Sequence, residues 1–175
     1  MTGSEDVAVV SDLRERLLDA AWHLMTLPGP AEAVTVSRVC AAVGCTPRML
    51  FRKIESLEEL IRRTSARAFA QWADEIENAI GTTAGPLERV RRRGEEYMRW
   101  GLEHPRAYLT LFGERAGPTG TSDAYRALMA DLATAHGLAA DDPDVSVLAL
   151  AHWAGVHGLT SLAIANPSLT AEARM

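Results

Sequence analysis

Apolar residues recur along the chain at spacings of three and four, with no sustained alternation of two, so the pattern predicts helices throughout and no sheet. A first helix is expected from about Asp12, where Asp12 and Glu15 have capping-box spacing. Its stripe is Leu13, Leu17, Ala20, Ala21, Leu24 and Met25, and Pro28-Gly29-Pro30 stops it. A short second helix follows Thr35 as N-cap, with Val36, Val39, Cys40 and Val43 as its apolar face and Gly44 as its end. A third begins at once. Thr46 is its N-cap and Pro47 sits at the first helical position, where the missing N–H costs nothing; Met49, Leu50, Phe51 and Ile54 follow. A fourth opens with Ser56 and Glu59 in a second capping box and runs long, through Leu60, Ile61, Phe69, Trp72, Ile76 and Ile80.

The stretch from Gly81 to Pro86 reads as a linker. Beyond it, Leu87, Val90, Gly94, Tyr97, Met98, Gly101 and Leu102 mark a helix, and Pro105 opens another through Tyr108, Leu111 and Phe112. Gly94 and Gly101 each cost roughly 1 kcal/mol against Ala in a helix, so they make room either for a ligand or for close packing. A Gly/Pro loop is expected from Ala116 to Ser122, then a helix from Asp123 to His136 closed by Gly137. The last helix, from about Val145 to Ala165, carries no formal charge over a length that could span a bilayer. It also carries His152, His157, glycines, serines and a threonine, and it is preceded by Asp141, Asp142 and Asp144 rather than a basic cluster. It reads as a buried helix of a soluble protein. The expected architecture is all-α: an N-terminal three-helix domain over 11–60, a connecting helix over 61–80 and a C-terminal helical domain over 86–175.

Composition narrows the function classes. With 175 residues, 47% hydrophobic and 23% charged, the chain can bury a core. A net charge of −5 excludes coating nucleic acid through bulk positive charge, but not a local basic patch. Two cysteines are too few for a disulfide scaffold or a four-cysteine zinc site, and the acidic start is not a signal peptide, which points to the cytoplasm. Neither HExxH, GxSxG nor a phosphate-cradling glycine loop occurs, so no cofactor or metal is expected. His152 and His157 are five apart and turn well away from each other on a helix. Asp141, Asp142 and Asp144 read as charges favoured at a helix N-terminus rather than as a calcium loop. Arg91-Arg92-Arg93 could hold an anion, but Glu88, Glu95 and Glu96 lie within three or four residues and favour exposed ion pairs. Cys40 and Cys45 read as small buried apolar residues, with a redox pair as the alternative.

The segment from Thr35 to Ile54 has the length and punctuation of a helix-turn-helix. Arg48 and Arg52 share a helix face, and Arg is the best bidentate reader of guanine. Between Thr35 and Glu55 the net charge is +3, so the remainder carries −8. Such a split suits a chain that meets DNA at one end and stays soluble through the other. The roles expected are specific. Thr35 and Arg38 meet phosphate; Thr46 and Pro47 start the recognition helix; Arg48 and Arg52 reach bases; Met49 meets a thymine methyl; Phe51 and Lys53 meet the backbone.

The stretches LLDAAWHLM, VTVSRVCAAVGCTPRMLFRKI and ESLEEL, from Leu17 to Leu60, resemble the DNA-binding domain of the tetracycline-repressor (TetR) family. The family's pattern falls on Val34-Thr35, Val43-Gly44, Cys45-Thr46, Phe51-Arg52-Lys53-Ile54 and Ser56-Leu57-Glu58-Glu59-Leu60. Three positions depart from it: Phe51 replaces a Tyr, Lys53 a His and Leu57 a Lys. YMRWGLEHPRAYLTLF and HWAGVHGLTSL resemble the family's effector domain with a Trp-His-Gly signature, here Trp153, His157 and Gly158. The resemblance implies a C-terminal half that binds a small molecule and forms a homodimer.

The residues agree with that implication. Tyr97, Trp100, His104, Tyr108, Phe112, Trp153 and His157 supply an aromatic lining with a few polar groups, as an effector pocket needs; the alternative is plain core. The last helix is apolar nearly all round, and Ala151, Gly155, Gly158 and Leu162 would let a second copy approach; the alternative is the central helix of a monomer. The combined expectation is a repressor released from a palindromic operator by a small apolar or aromatic effector. Two other classes stay open: an interaction module whose DNA face is unused, and a small helical enzyme using His104 or His157.

Overall fold

The computed structural model describes residues 3–27, 34–81, 85–112 and 123–168, with side chains from Leu13 onward. Among them the chain forms eight α-helices and no strand: α1 Gly3–Thr26, α2 Val36–Val43, α3 Pro47–Phe51, α4 Leu57–Ile80, α5 Pro86–Glu103, α6 Pro105–Phe112, α7 Asp123–His136 and α8 Pro143–Ala165. The all-α expectation holds. The expected stop at Pro28-Gly29-Pro30, most of the linker and the 116–122 loop lie outside the described residues. The chain divides into two compact units. One runs to Phe69 and takes in the end of α6 from Leu109; the other comprises Ala70–Tyr108 with α7 and α8.

In the first unit, α1, α2, α3 and the start of α4 close around Leu17, Leu18, Ala21, Leu24, Val39, Val43, Leu50, Ile54 and Leu60. The expected helix start at Asp12 is corrected: α1 begins at Gly3, so Asp12 is an interior residue and not a cap. The caps expected for the next three helices are made. Thr35 Oγ1 accepts from Arg38 N at 3.2 Å, Thr46 Oγ1 from Met49 N at 3.3 Å and Ser56 Oγ from Glu59 N at 3.1 Å. Each satisfies a backbone donor that a helix leaves without an internal partner. Gly44 ends α2 at φ 73°, the left-handed region open to glycine. Arg16 of α1 donates to the Val43 carbonyl, placing a cation at the negative end of α2. Arg67 of α4 pairs with Glu15 and Asp19 of α1, and Phe69 meets Phe112 edge-on at 5.8 Å.

In the second unit α5, α7 and α8 pack on one another around Val90, Leu128, Leu132 and Ala149. Close packing accounts for both α5 glycines. A Cβ at Gly101 would lie 2.5 Å from Thr160 Cγ2, and one at Gly94 would lie 3.2 Å from Val156 Cγ2. Arg91 and Arg92 form the exposed pairs expected of them with Glu88 and Glu95. Arg93 does not. It is buried, and its guanidinium bridges Glu77 of α4 at 2.7 Å and Asp131 of α7 at 3.1 Å, with Arg89 completing the network at Asp131. Residues 77 and 131 are distant in sequence, so local spacing had no access to this pairing.

The expectation that the last helix is buried also needs correction. One face of α8 packs inward through Val145, Ala149, Thr160 and Ala163, while Val147, Leu150, Leu159 and Leu162 stand 54–65% exposed. By length and composition α8 is the one helix among the described residues that could cross a membrane.

Candidate nucleic-acid interface and aromatic cluster

Two short helices and a glycine turn build the first site. Leu50 and Ile54 are buried and tie α3 to the core of the first unit. That anchoring turns the other side of the helix outward. Arg48, Met49, Phe51 and Arg52 are exposed, as are Thr35, Arg38, Thr46 and Pro47; Lys53 is half-buried. The α-helix closes at Phe51, short of Ile54. The backbone nevertheless continues in right-handed turn geometry, with Arg52 N donating to Arg48 O at 3.2 Å and Ile54 N to Leu50 O at 3.0 Å. Arg48 and Arg52 therefore keep a common face, and neither enters an ion pair among the described residues. A displayed face with two guanidinium groups, two apolar side chains and a net positive charge can meet phosphates and reach base edges.

The second site gathers on α5, α6 and α8. Tyr97 Oη lies 2.9 Å from His157 Nδ1, and Tyr108 Oη lies 2.8 Å from the same nitrogen. Tyr108 Oη also donates to the His157 carbonyl at 3.1 Å and meets Ser161 Oγ at 3.0 Å. Burial raises the pKa of both phenols and lowers that of His157. The cluster is thus held neutral: burial penalises phenolate and imidazolium alike. Trp153 adds its ring 5.6 Å from that of His157. Trp100 and His104 stack obliquely at 5.3 Å at the more exposed end of α5.

One partner was not among the expected lining residues. Trp72 of α4 is 6% exposed and lies edge-on to Tyr97 at 5.5 Å and to Trp100 at 6.2 Å. Its place on the apolar stripe of the fourth helix was visible in sequence, but the stripe does not say which helix it faces. Phe112 belongs to the first unit, beside Phe69. His152 is separate from His157. It lies against Gly94, and burial together with the Arg93 charge lowers its pKa. Ala151 and Gly155 are exposed and Gly158 is half-buried; a Cβ at either glycine would meet nothing within 4 Å of its own chain.

Residues 90–174 match the family model described as tetracyclin repressor-like, C-terminal domain, a span that contains Trp153, His157 and Gly158. Solved structures share the fold over nearly the whole chain. A TetR-family transcriptional regulator from Haemophilus influenzae is 18% identical, with 87% of this chain and 86% of that one covered and a TM-score of 0.64. A transcriptional regulator from Pseudomonas aeruginosa is 19% identical, with 90% and 80% covered and a TM-score of 0.62. A third structure, of a regulatory protein, is 22% identical, with 90% and 86% covered and a TM-score of 0.66. No curated protein matches the chain. The fold is shared with solved structures of transcriptional regulators, and α2 and α3 form a displayed helix-turn-helix. The matched C-terminal half of the chain is similar to the C-terminal domain of tetracycline repressors.

Proposed function

We propose that the protein is a homodimeric repressor. Its two helix-turn-helix heads read a palindromic operator and let it go when a small apolar or aromatic effector enters the cluster around Tyr97, Tyr108, Trp153 and His157. The observation that carries the reading is the recognition turn: Leu50 is fully buried beneath it while Arg48 and Arg52 stand outward on one face. One such turn reads few base pairs; two related by a dyad read half-sites about one helical turn apart. In this reading Arg48 and Arg52 contact bases, Met49 a thymine methyl, and Thr35, Arg38, Phe51 and Lys53 the backbone.

The exposed side of α8 supports the dimer. Val147, Ala151, Gly158 and Leu162 recur at helical spacing opposite the inward residues, and an apolar stripe of that kind is covered by a partner. Effector binding weakens DNA binding only if it favours one spacing of the heads over another. The helix α4, which carries residues of both units, is the element we assign to that coupling.

Selection of bound duplexes from random DNA tests the proposal. Enrichment of a palindrome is the expected result. Recovery of sequences with no common element would overturn it.

A further inference from the structure

We propose that Cys40 and Cys45 form a reversible dithiol–disulfide pair set into the turn of the helix-turn-helix, with a hydroperoxide as the oxidant. The geometry comes from how α2 ends. The Gly44 and Cys45 amides both donate to the Cys40 carbonyl, at 2.9 and 3.0 Å, and Gly44 takes the left-handed conformation. In this kind of helix stop the residue after the glycine folds back over the residue five positions before it, where an apolar contact usually forms. Here both positions hold cysteine.

The two side chains share one packing environment: Cys40 is buried in the core of the first unit and Cys45 packs against that core. Both are unbonded to other cysteines; Cys40 is buried and Cys45 half-buried. Their unequal exposure assigns the roles. Cys45 is the sulfur a small oxidant reaches first. Burial and the neighbouring thiol push the Cys40 pKa up, which keeps Cys40 protonated and out of contact with the oxidant.

The reaction proceeds in two steps. The Cys45 thiolate takes the terminal OH of the hydroperoxide, the O–O bond breaks, and the departing alkoxide or hydroxide picks up the proton released by the thiol. The product is a sulfenic acid. The Cys40 thiol then attacks that sulfur, the S–S bond forms and water leaves with the second thiol proton. Two electrons pass from the thiols to the peroxide, and a dithiol reductant returns them.

The bond brings the sulfurs to about 2.05 Å, and this moves Cys45. The next residue is Thr46, whose hydroxyl caps α3. Oxidation therefore acts directly on the start of the recognition turn. This consequence rests on the DNA-binding role proposed above, whereas the disulfide itself does not.

The test treats the reduced full chain with hydrogen peroxide, alkylates it with a maleimide and weighs it intact. The expected product has lost two hydrogen masses and carries no maleimide, and dithiothreitol restores two labelling sites. Cys45→Ser and Cys45→Ala, each checked for helix content by circular dichroism, should give no such species. Two maleimides on the peroxide-treated wild type would overturn the pair. So would an over-oxidised Cys45 beside a still-labelled Cys40. On a duplex obtained by selection, the oxidised protein should bind about tenfold more weakly, recover with dithiothreitol, and Cys45→Ser should be indifferent to peroxide. Equal affinity of the disulfide form would overturn the regulatory consequence. If the reduced protein binds no duplex at all, the function proposed above fails, while the mass measurement still decides the disulfide.

Discussion

Tyr108 and His157 meet twice: the phenol oxygen lies 2.8 Å from the ring Nδ1 and 3.1 Å from the same residue's carbonyl oxygen. A phenol has one hydrogen, so it cannot serve both at once. The carbonyl can only accept, and Ser161 Oγ at 3.0 Å can donate to the phenol in return. The cluster is therefore a small network in which Tyr108 ties α6 to two successive turns of α8.

Tyr108→Phe removes that tie and leaves the ring in place. Because Tyr108 is 1% exposed, the polar groups it served lose their partner in a buried setting, at a cost of about 1–3 kcal/mol. Thermal unfolding followed by circular dichroism should show a transition several degrees lower. An unchanged transition would remove the network from the account of stability.

Gly101→Ala and Gly94→Ala should separate. Each gains roughly 1 kcal/mol of helix propensity in α5. At Gly101 the new methyl would sit 2.5 Å from Thr160 Cγ2 and 3.0 Å from a Tyr108 ring carbon, and overpacking of about 1–3 kcal/mol outweighs the gain. At Gly94 the nearest atom is a side-chain methyl at 3.2 Å, which needs to give only slightly, so the net change should be small. Urea titration of the two variants compares them directly.

Arg93→Ala should cost about 3–5 kcal/mol, since it leaves the buried Asp131 carboxylate with Arg89 alone. The exposed pair partner Arg91 offers the contrast: Arg91→Ala should leave stability close to that of the wild type. Equal effects from the two variants would contradict the burial assigned to Arg93.

The pH dependence follows from the two histidines on α8. Burial lowers the pKa of both His152 and His157 below the ordinary 6.5, and Arg93 adds to the effect at His152. The unfolded chain thus takes up protons first as pH falls. Their contribution is complete above pH 6.5 and is lost as pH falls through that value and then through the lower folded values. Glu88, held at about 2 by Arg91 and Arg92, belongs to a separate, more acid window below its ordinary 4.5. Urea midpoints across this range should decline below pH 6.5 in the wild type and stay flatter in a His152→Gln, His157→Gln double variant.

On an operator duplex, Arg48→Ala should weaken specific binding by about 1–3 kcal/mol and relax the preference at one base position. Lys53→Ala should weaken binding to all sequences alike and reduce the salt dependence by about one counterion. Gel shifts at several salt concentrations distinguish the two effects. Identical profiles would reject the division between base-reading and backbone-reading residues.

The sequence by itself determined whatever depends on neighbours along the chain. Thr35, Thr46 and Ser56 are caps because each hydroxyl serves an amide three residues on, and Gly44 is a stop because its φ suits glycine. The outward face of α3 and the turn that follows it was legible for the same reason, since helical spacing alone opposes Arg48 and Arg52 to Leu50 and Ile54. Tertiary structure decided what depends on which helix lies opposite. Arg93 has one carboxylate of its own helix, Glu96, in reach by spacing, yet it turns inward to Glu77 and Asp131. Trp72 finds Tyr97 and Trp100, and His157 finds two phenols, none of which an apolar stripe can specify. The same limit explains α8: composition makes it apolar all round, but only packing shows that one face is spent inside the chain while other residues are left exposed.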